Sequence, residues 1–282
     1  MPFLKPELNE HLRHYGIRHF SDDGYWDWGG EQLGERNVDK LNRLRLPLQE
    51  GGATAQELRS FYDFISDPTI GGVVHSSKAD AIRASGEAIE GSIQGRTKVL
   101  DVGCSLGYLT TWYARINSAR HVVGVDISEK SVRQARRLAG RLGIRNVEFL
   151  VADISERIPG STYDAVIDSQ SLSTISAYSP EALTRGLTNL RAALEPDGIL
   201  VSVSAIPDCA AAQDFIENLR KSGFGLQSLE FIFHSDLDEP HVYTHVVTSP
   251  GTPSIDINLE AVYQSAVEEV IRRRTNIPDE TI

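Results

Sequence analysis

The sequence predicts an α/β fold: a doubly wound, mostly parallel sheet of seven strands, with an antiparallel pair at one end and a helical segment in front. Three observations carry this. From residue 97 onward, short apolar runs alternate with helix-length amphipathic segments, the rhythm of right-handed crossovers between parallel strands. Runs such as "AVI" and "ILV" are apolar without alternation, as strands covered on both faces are. The last two runs, "LQSLEFIF" and "HVYTHVVTS", have no helix between them, so they are expected to pair antiparallel.

The elements follow in order. "KVLDVG" is the first run and "GYLTTWYARINS" the helix behind it. "HVVGVD" is the second, followed by "SEKSVRQARRLAGRLG" with Ser128 as its N-cap. "VEFLVAD" and "YDAVIDS" are the third and fourth. "SPEALTRGLTNLRAAL" is a helix capped by Ser179 with Pro180 in its first turn. "GILVSVS" is the fifth run, and "AAAQDFIENLRKSG" a helix stopped by Gly223. Ahead of all this, "PELNEHLRHYG", "GERNVDKLNRLRL" and "TAQELRSFYDFIS" read as short helices joined by glycine- and aromatic-rich loops, notably "SDDGYWDWGGE". "SKADAIRASGEAIEG" leads into the first strand. Residues 1–77 are thus expected to form a helical lid and specificity segment, 78–250 the core, and 251–282 a C-terminal helix. That last helix is suited to packing or to pairing two copies as a homodimer.

Composition narrows the function. The chain has 282 residues and a formal net charge of −11. A protein that grips polyanions gathers Lys and Arg, so no nucleic-acid partner is expected. Arg133, Arg136, Arg137, Arg141 and Arg145 share one helix and read as a solvated outer face. "RRR" at 272–274 suits the negative end of the last helix. No run of about 18 apolar residues is present, and the start "MPFLKPELNEHLRHYG" lacks the pattern of a secretion signal. A cytoplasmic protein with no membrane partner is expected. Cys104 and Cys209 fit neither a disulfide framework nor a metal site.

Ligands of an open parallel sheet bind outside the C-terminal strand ends. Asp101, Asp126, Asp153 and Asp168 fall there, one after each of the first four strands. Gly103 and Gly107 let the backbone turn and approach a ligand. The amides opening the next helix offer donors to an anion. Asp126 stands where a carboxylate reaches ribose hydroxyls. Asp153 is placed for an adenine amine, with Ile154 beside it to pack on the ring. NAD and S-adenosylmethionine both have these parts. The loop is Gly103-Cys104-Ser105-Leu106-Gly107, not the G-x-G-x-x-G of dinucleotide sites. Asp101 ahead of it repels a pyrophosphate and suits an ammonium.

"VLDVGCSLGYLT", "VVGVDIS", "VEFLVADIS", "YDAVIDSQSLSTI" and "LRAALEPDGILVSVS" resemble the successive motifs of class I S-adenosylmethionine-dependent methyltransferases. The resemblance spans roughly residues 78 to 248. It implies a Rossmann-like sheet with strand 7 inserted antiparallel, and S-adenosylmethionine as cofactor. It places Asp101, Gly103 and Gly107 around the methionine moiety, with Cys104 in the loop wall through its backbone. It places Asp126, with Ile127 next to it, at the ribose, Asp153 and Ile154 at the adenine, and Ser169 near the sulfonium. Ser105 departs from the family, which has a middle glycine there.

Methyl transfer from a sulfonium is an in-line displacement governed by proximity and alignment, with a general base where the acceptor carries a proton. "DSQSLSTI" is not the Asn/Asp-Pro-Pro-Tyr/Phe motif of enzymes acting on base or glutamine amines. It also lacks the Pro-Cys of 5-methylcytosine enzymes. Cys209 reads as a small packed hydrophobe. Candidate bases are His241 and Asp168, with His234 and His75 behind them and His245 assigned to packing. Tyr25, Trp26, Trp28, Tyr62 and Gln170 are the candidate acceptor contacts. The aromatic trio serves either a pocket wall or the packing of the lid. The expectation is a methyltransferase acting on O, N or C of a small molecule. The alternatives are a protein or peptide methyltransferase, a non-catalytic S-adenosylmethionine-binding module and, last, an NAD oxidoreductase.

Overall fold

In the computed structural model the described residues are 7–20, 24–50, 54–160, 162–205, 209–235 and 240–275. Five helices come first: α1 (Leu8–Arg13), α2 (Gly24–Glu50), α3 (Ala55–Ile65), α4 (Pro68–Ser76) and α5 (Ala79–Ser92). The alternation then runs β1 (Lys98–Val102), α6 (Tyr108–Ile116), β2 (His121–Asp126), α7 (Glu129–Arg141), β3 (Val147–Val151) and β4 (Tyr163–Ser169). After it come α8 (Ser171–Tyr178), α9 (Pro180–Ala193), β5 (Leu194–Ala205), α10 (Cys209–Lys221), β6 (Phe224–Ser235), β7 (Pro240–Pro250) and α11 (Leu259–Thr275).

The seven strands form one sheet in the order β3-β2-β1-β4-β5-β7-β6. The first five in that order are parallel, and β7 runs antiparallel to both β5 and β6. The expected terminal pair is therefore present, with β7 inserted between its neighbours. Alternate residues of each strand serve opposite faces. On β1, Val99 joins a core with α5 and α6 through Ile89 and Trp112. Its neighbour Leu100 joins the other core, with α9 and α10 through Leu187 and Ile216. Among the described residues no helix is long and apolar enough to cross a membrane.

Three parts of the N-terminal region differ from the sequence reading. Leu8, Leu12 and Tyr15, in and just after α1, are buried in the same cluster as Ile82 and Ile89 of α5, so α1 belongs to the core layer and not to the lid. The segment from Gly24 onward, expected as loop, is helical up to a break at Gly34 (φ 66, ψ 157). Its glycines argue against a helix, but Tyr25 and Leu33 bury themselves with Phe61, Ile65, Ile70 and Val73 in a separate small core, and packing overrides propensity. Helix α4 is unannounced in the sequence because two adjacent glycines interrupt its apolar pattern. Asp67 caps it by accepting from the Thr69 and Ile70 N–H groups, and Pro68 opens it. Those glycines are needed for contact: a Cβ on Gly72 would lie 2.9 Å from the Gly16 carbonyl oxygen, and one on Gly71 would strike the Ile65 carbonyl oxygen.

One buried ion pair ties α5 to the sheet. Arg120 donates to Glu90 at 2.6 Å and to the carbonyls of Ile93 at 3.1 Å and Tyr113 at 3.3 Å. Arg120→Met leaves the Glu90 carboxylate without this partner. The variant is expected to lose about 3–5 kcal/mol of stability in urea unfolding, and Glu90→Leu in the same chain to restore most of it.

Candidate active site

The C-terminal ends of β1, β2 and β4 bring three carboxyls to one place. Asp101 on β1 is buried and accepts from the Thr110 hydroxyl at 2.5 Å. Burial pushes its carboxyl up to about 7, helped by the charges of Asp168 and Asp126 and opposed by the Thr110 bond. Asp126 ends β2. Its Oδ1 accepts from the Ser128 N–H at 2.8 Å and its Oδ2 from the Ser105 N–H at 2.9 Å. Burial raises it too, against those two bonds. Asp168 near the end of β4 is fully buried. Its Oδ1 accepts from the Ser171 and Leu172 N–H groups, and its Oδ2 from the Ser202 hydroxyl at 2.7 Å. Burial raises it to about 6.

Among the described residues, no ion pair gives any of these carboxyls a cationic partner. Burying carboxyls without a cation is costly. The cluster therefore suits a ligand that brings positive charge.

The loop between β1 and α6 carries three residues in the left-handed region: Gly103 (φ 68), Ser105 (φ 50) and Gly107 (φ 76). The middle position favours glycine for that reason, and serine occupies it at the cost of strain. In exchange its N–H reaches Asp126. A Cβ on Gly107 would lie 2.6 Å from the Phe149 ring, so this glycine seats the loop on β3. A Cβ on Gly103 would meet the Ser171 hydroxyl, which donates to the Val102 carbonyl at 3.0 Å. The Cys104 side chain packs with Val132, Ala135 and Phe149, and burial pushes its thiol well up. It is an inert small hydrophobe whose backbone belongs to the loop.

Ile127 is half-buried directly after Asp126. Asp153 accepts from the Ser155 N–H at 2.8 Å. Ile154 is buried beneath α9, where a Cβ on Gly186 would touch it at 3.2 Å. Its side chain packs the core with Leu183 and Leu187. Ser169 is half-buried at the end of β4. Gln170 follows with φ 71, its N–H donating to the Val203 carbonyl at 2.7 Å. The stretch after it, assigned no helix from the sequence, is α8.

Helices α3 and α4 reach this end of the sheet. Asp63 accepts from the Ser128 hydroxyl at 2.7 Å and pairs with Lys130 at 3.3 Å. Tyr62 hydrogen-bonds the Thr174 side chain and lies within the field of Asp126; burial raises its phenol. Tyr108, the first residue of α6, feels Asp101, Tyr62 and Asp126. Its ring lies 5.1 Å from that of His75 on α4.

Other expected contacts lie elsewhere. Tyr25 is buried, its hydroxyl donating to the Val73 carbonyl at 3.2 Å. Trp28 packs 5.0 Å from Phe20 and beneath Arg18. Trp26 is 52% exposed on the outer surface. Tyr25 and Trp28 pack the small core of α2–α4, and Trp26 lies on its surface, rather than walling the acid cluster. Asp168 was expected as a base, but its oxygens accept three hydrogen bonds that cap α8 and anchor β5, so it organises the site instead. The side chains of His241 and His234 lie outside the described residues. His245 is buried beside Ser92, Nε2 to Oγ 3.1 Å. Sequence reasoning missed Tyr108, signalled only by its place after Gly107, and underrated His75, which no motif marks.

A family model described as a methyltransferase domain matches residues 93–244. A probable (S)-tetrahydroprotoberberine N-methyltransferase of Papaver bracteatum is 35% identical over 69 residues, 24% of this chain and 19% of that protein. An uncharacterized RNA methyltransferase of Halalkalibacterium halodurans is 26% identical over 152 residues, 49% of this chain and 28% of that protein. The chain spans less than half the length of such curated relatives. The crystal structure of the 4+2 cyclase SpnF shares the fold, with a TM-score of 0.58 and 18% identity over 73% of this chain and 99% of that one.

The acid cluster makes stability depend on pH. A carboxyl raised by folding binds its proton more tightly in the native state. Its contribution is full below the unfolded value near 4 and is lost as pH rises through the folded value. Asp101→Asn removes this dependence. Between about pH 4 and about pH 7, the ligand-free wild type is expected to lose more than about 1 kcal/mol relative to that variant. Urea unfolding at a series of pH values measures it; parallel curves would exclude the burial cost.

Proposed function

The chain belongs to the class I S-adenosylmethionine-dependent methyltransferases, and on that premise we propose that it methylates a small molecule. The observation that carries the choice of acceptor is the position of α3. It is fastened on one side of the acid cluster by Asp63 to Ser128, and on the other by Tyr62 to Thr174. A helix held across the cleft favours acceptors small enough to sit beneath it. The net charge of −11 also disfavours a polyanion.

The residues fit the cofactor. S-adenosylmethionine supplies an electrophilic methyl group on a sulfonium, together with an ammonium. Asp101 and the loop 103–107 are assigned to the amino-acid arm. Asp126 is assigned to the ribose hydroxyls: each of its oxygens accepts one backbone N–H and keeps a further lone pair. Ile127 and Asp153 are assigned to the adenine. Ser169, the last residue of β4, and Gln170 after it are assigned to the path to the acceptor. The protein's work is alignment of a nucleophile with the methyl carbon and exclusion of water.

Two measurements test this reading. Calorimetry should show S-adenosylhomocysteine binding that Asp126→Ala weakens about tenfold to a hundredfold, the worth of hydrogen bonds to a charged group. Incubation with methyl-labelled S-adenosylmethionine and fractionated cell extract should place label in the small-molecule fraction. Label in RNA or protein would overturn the choice of acceptor.

A further inference from the structure

His75 has the position and the free nitrogen that an acceptor-side base requires. Its Nδ1–H donates to the Gly71 carbonyl at 2.6 Å, one helical turn back on α4. That bond fixes the tautomer and leaves the Nε2 lone pair. No hydrogen bond occupies Nε2 among the described residues. His11 and His245 differ: their Nε2 atoms lie 3.0 Å from the Tyr108 carbonyl and 3.1 Å from the Ser92 hydroxyl.

The helix carrying His75 rests on the glycine loop. A Cβ on Gly71 would lie 2.8 Å from Leu106, and the His75 ring lies edge-on to Tyr108, the residue after Gly107. Tyr108 in turn lies within the field of Asp101, Tyr62 and Asp126. His75 therefore sits beside the loop assigned to the amino-acid arm, on the side covered by α3 and α4. The other buried bases near the cleft are engaged: Asp168 by three donors and Asp101 by Thr110.

We propose that His75 is the general base of the methyl transfer, and that the acceptor carries a proton on the atom to be methylated, as a hydroxyl or an amine does. This rests on the methyltransferase reading above. As the acceptor's oxygen or nitrogen bonds to the methyl carbon, the carbon–sulfur bond breaks and its electron pair stays on sulfur. The acceptor's proton ends on Nε2. Burial and nearby Lys78 lower the imidazole's affinity for protons, opposed by the Gly71 bond, so it enters the reaction as a free base. The groups facing it are Lys78 beyond its own helix and Tyr108 on α6, with Tyr62 and the carboxyls of Asp101 and Asp126 behind Tyr108.

The test follows the His75 imidazole by NMR in the full chain, its resonance assigned with His75→Gln. Two complexes are compared: one with S-adenosylhomocysteine, whose sulfur is neutral, and one with an analogue that carries an ammonium in place of the sulfonium. A positive charge a few ångströms away depresses the titration. The expected result is an Nδ1–H tautomer in both complexes and a midpoint about one pH unit lower with the cationic analogue. Equal midpoints in two well-formed complexes, or the opposite tautomer, would overturn the assignment and leave the cofactor reading intact. If neither compound binds, the cofactor reading falls and this proposal with it. A His75→Gln variant that binds S-adenosylhomocysteine within threefold of wild type supports a base; a loss beyond that assigns the residue to cofactor binding.

Discussion

Three carboxyls share one end of the sheet, and described ion pairs neutralise none of them. Everything around them serves to hold them there. Ser105 takes a strained conformation to give Asp126 an N–H. Thr110 turns its hydroxyl to Asp101, and Ser202 reaches across from β5 to Asp168. These donors stabilise the charged forms and offset part of the cost of burial. The remainder is available to a ligand that brings a cation, which is how a fold shared by many chemistries comes to favour a zwitterionic sulfonium.

The second design element is the covering of that cleft. Helices α2, α3 and α4 have a small core of their own and meet the sheet through few polar contacts. Glycines make the approach close: Gly71 and Gly72 let α4 lie against Leu106 and Gly16. The result is a polar floor made by the strand ends, with Tyr62 of α3 and His75 of α4 brought over it beside Tyr108. Floor and covering are contributed by distant parts of the chain.

The floor was legible in the sequence. Asp101, Asp126 and Asp168 each lie at the end of a strand whose apolar run is unmistakable, and the antiparallel pair was announced by the missing helix between the last two runs. The left-handed loop was half legible, through Gly103 and Gly107. The covering was not. A local pattern cannot say that Tyr25 and Trp28 turn into the lid's own core while Tyr62 turns outward, because the difference is made by helices packing across tens of residues. Likewise Asp168 looked like a free acid until its three donors were seen, two of them from the first turn of a helix the sequence did not reveal. The glycines of α4 hid α4 itself, and with it the tautomer of His75.

Ser128 joins floor to covering. Its hydroxyl accepts the Ser131 N–H as the cap of α7 and donates to Asp63 of the lid. The same contact brings a further carboxylate into the field of Asp126, which it raises. The docked lid is thus a charge balance as much as a packing arrangement. Each positive charge held beneath α3 strengthens its hold, and each one lost loosens it. A reaction that converts a cation under the lid into a neutral molecule changes that balance at the moment the product has to leave.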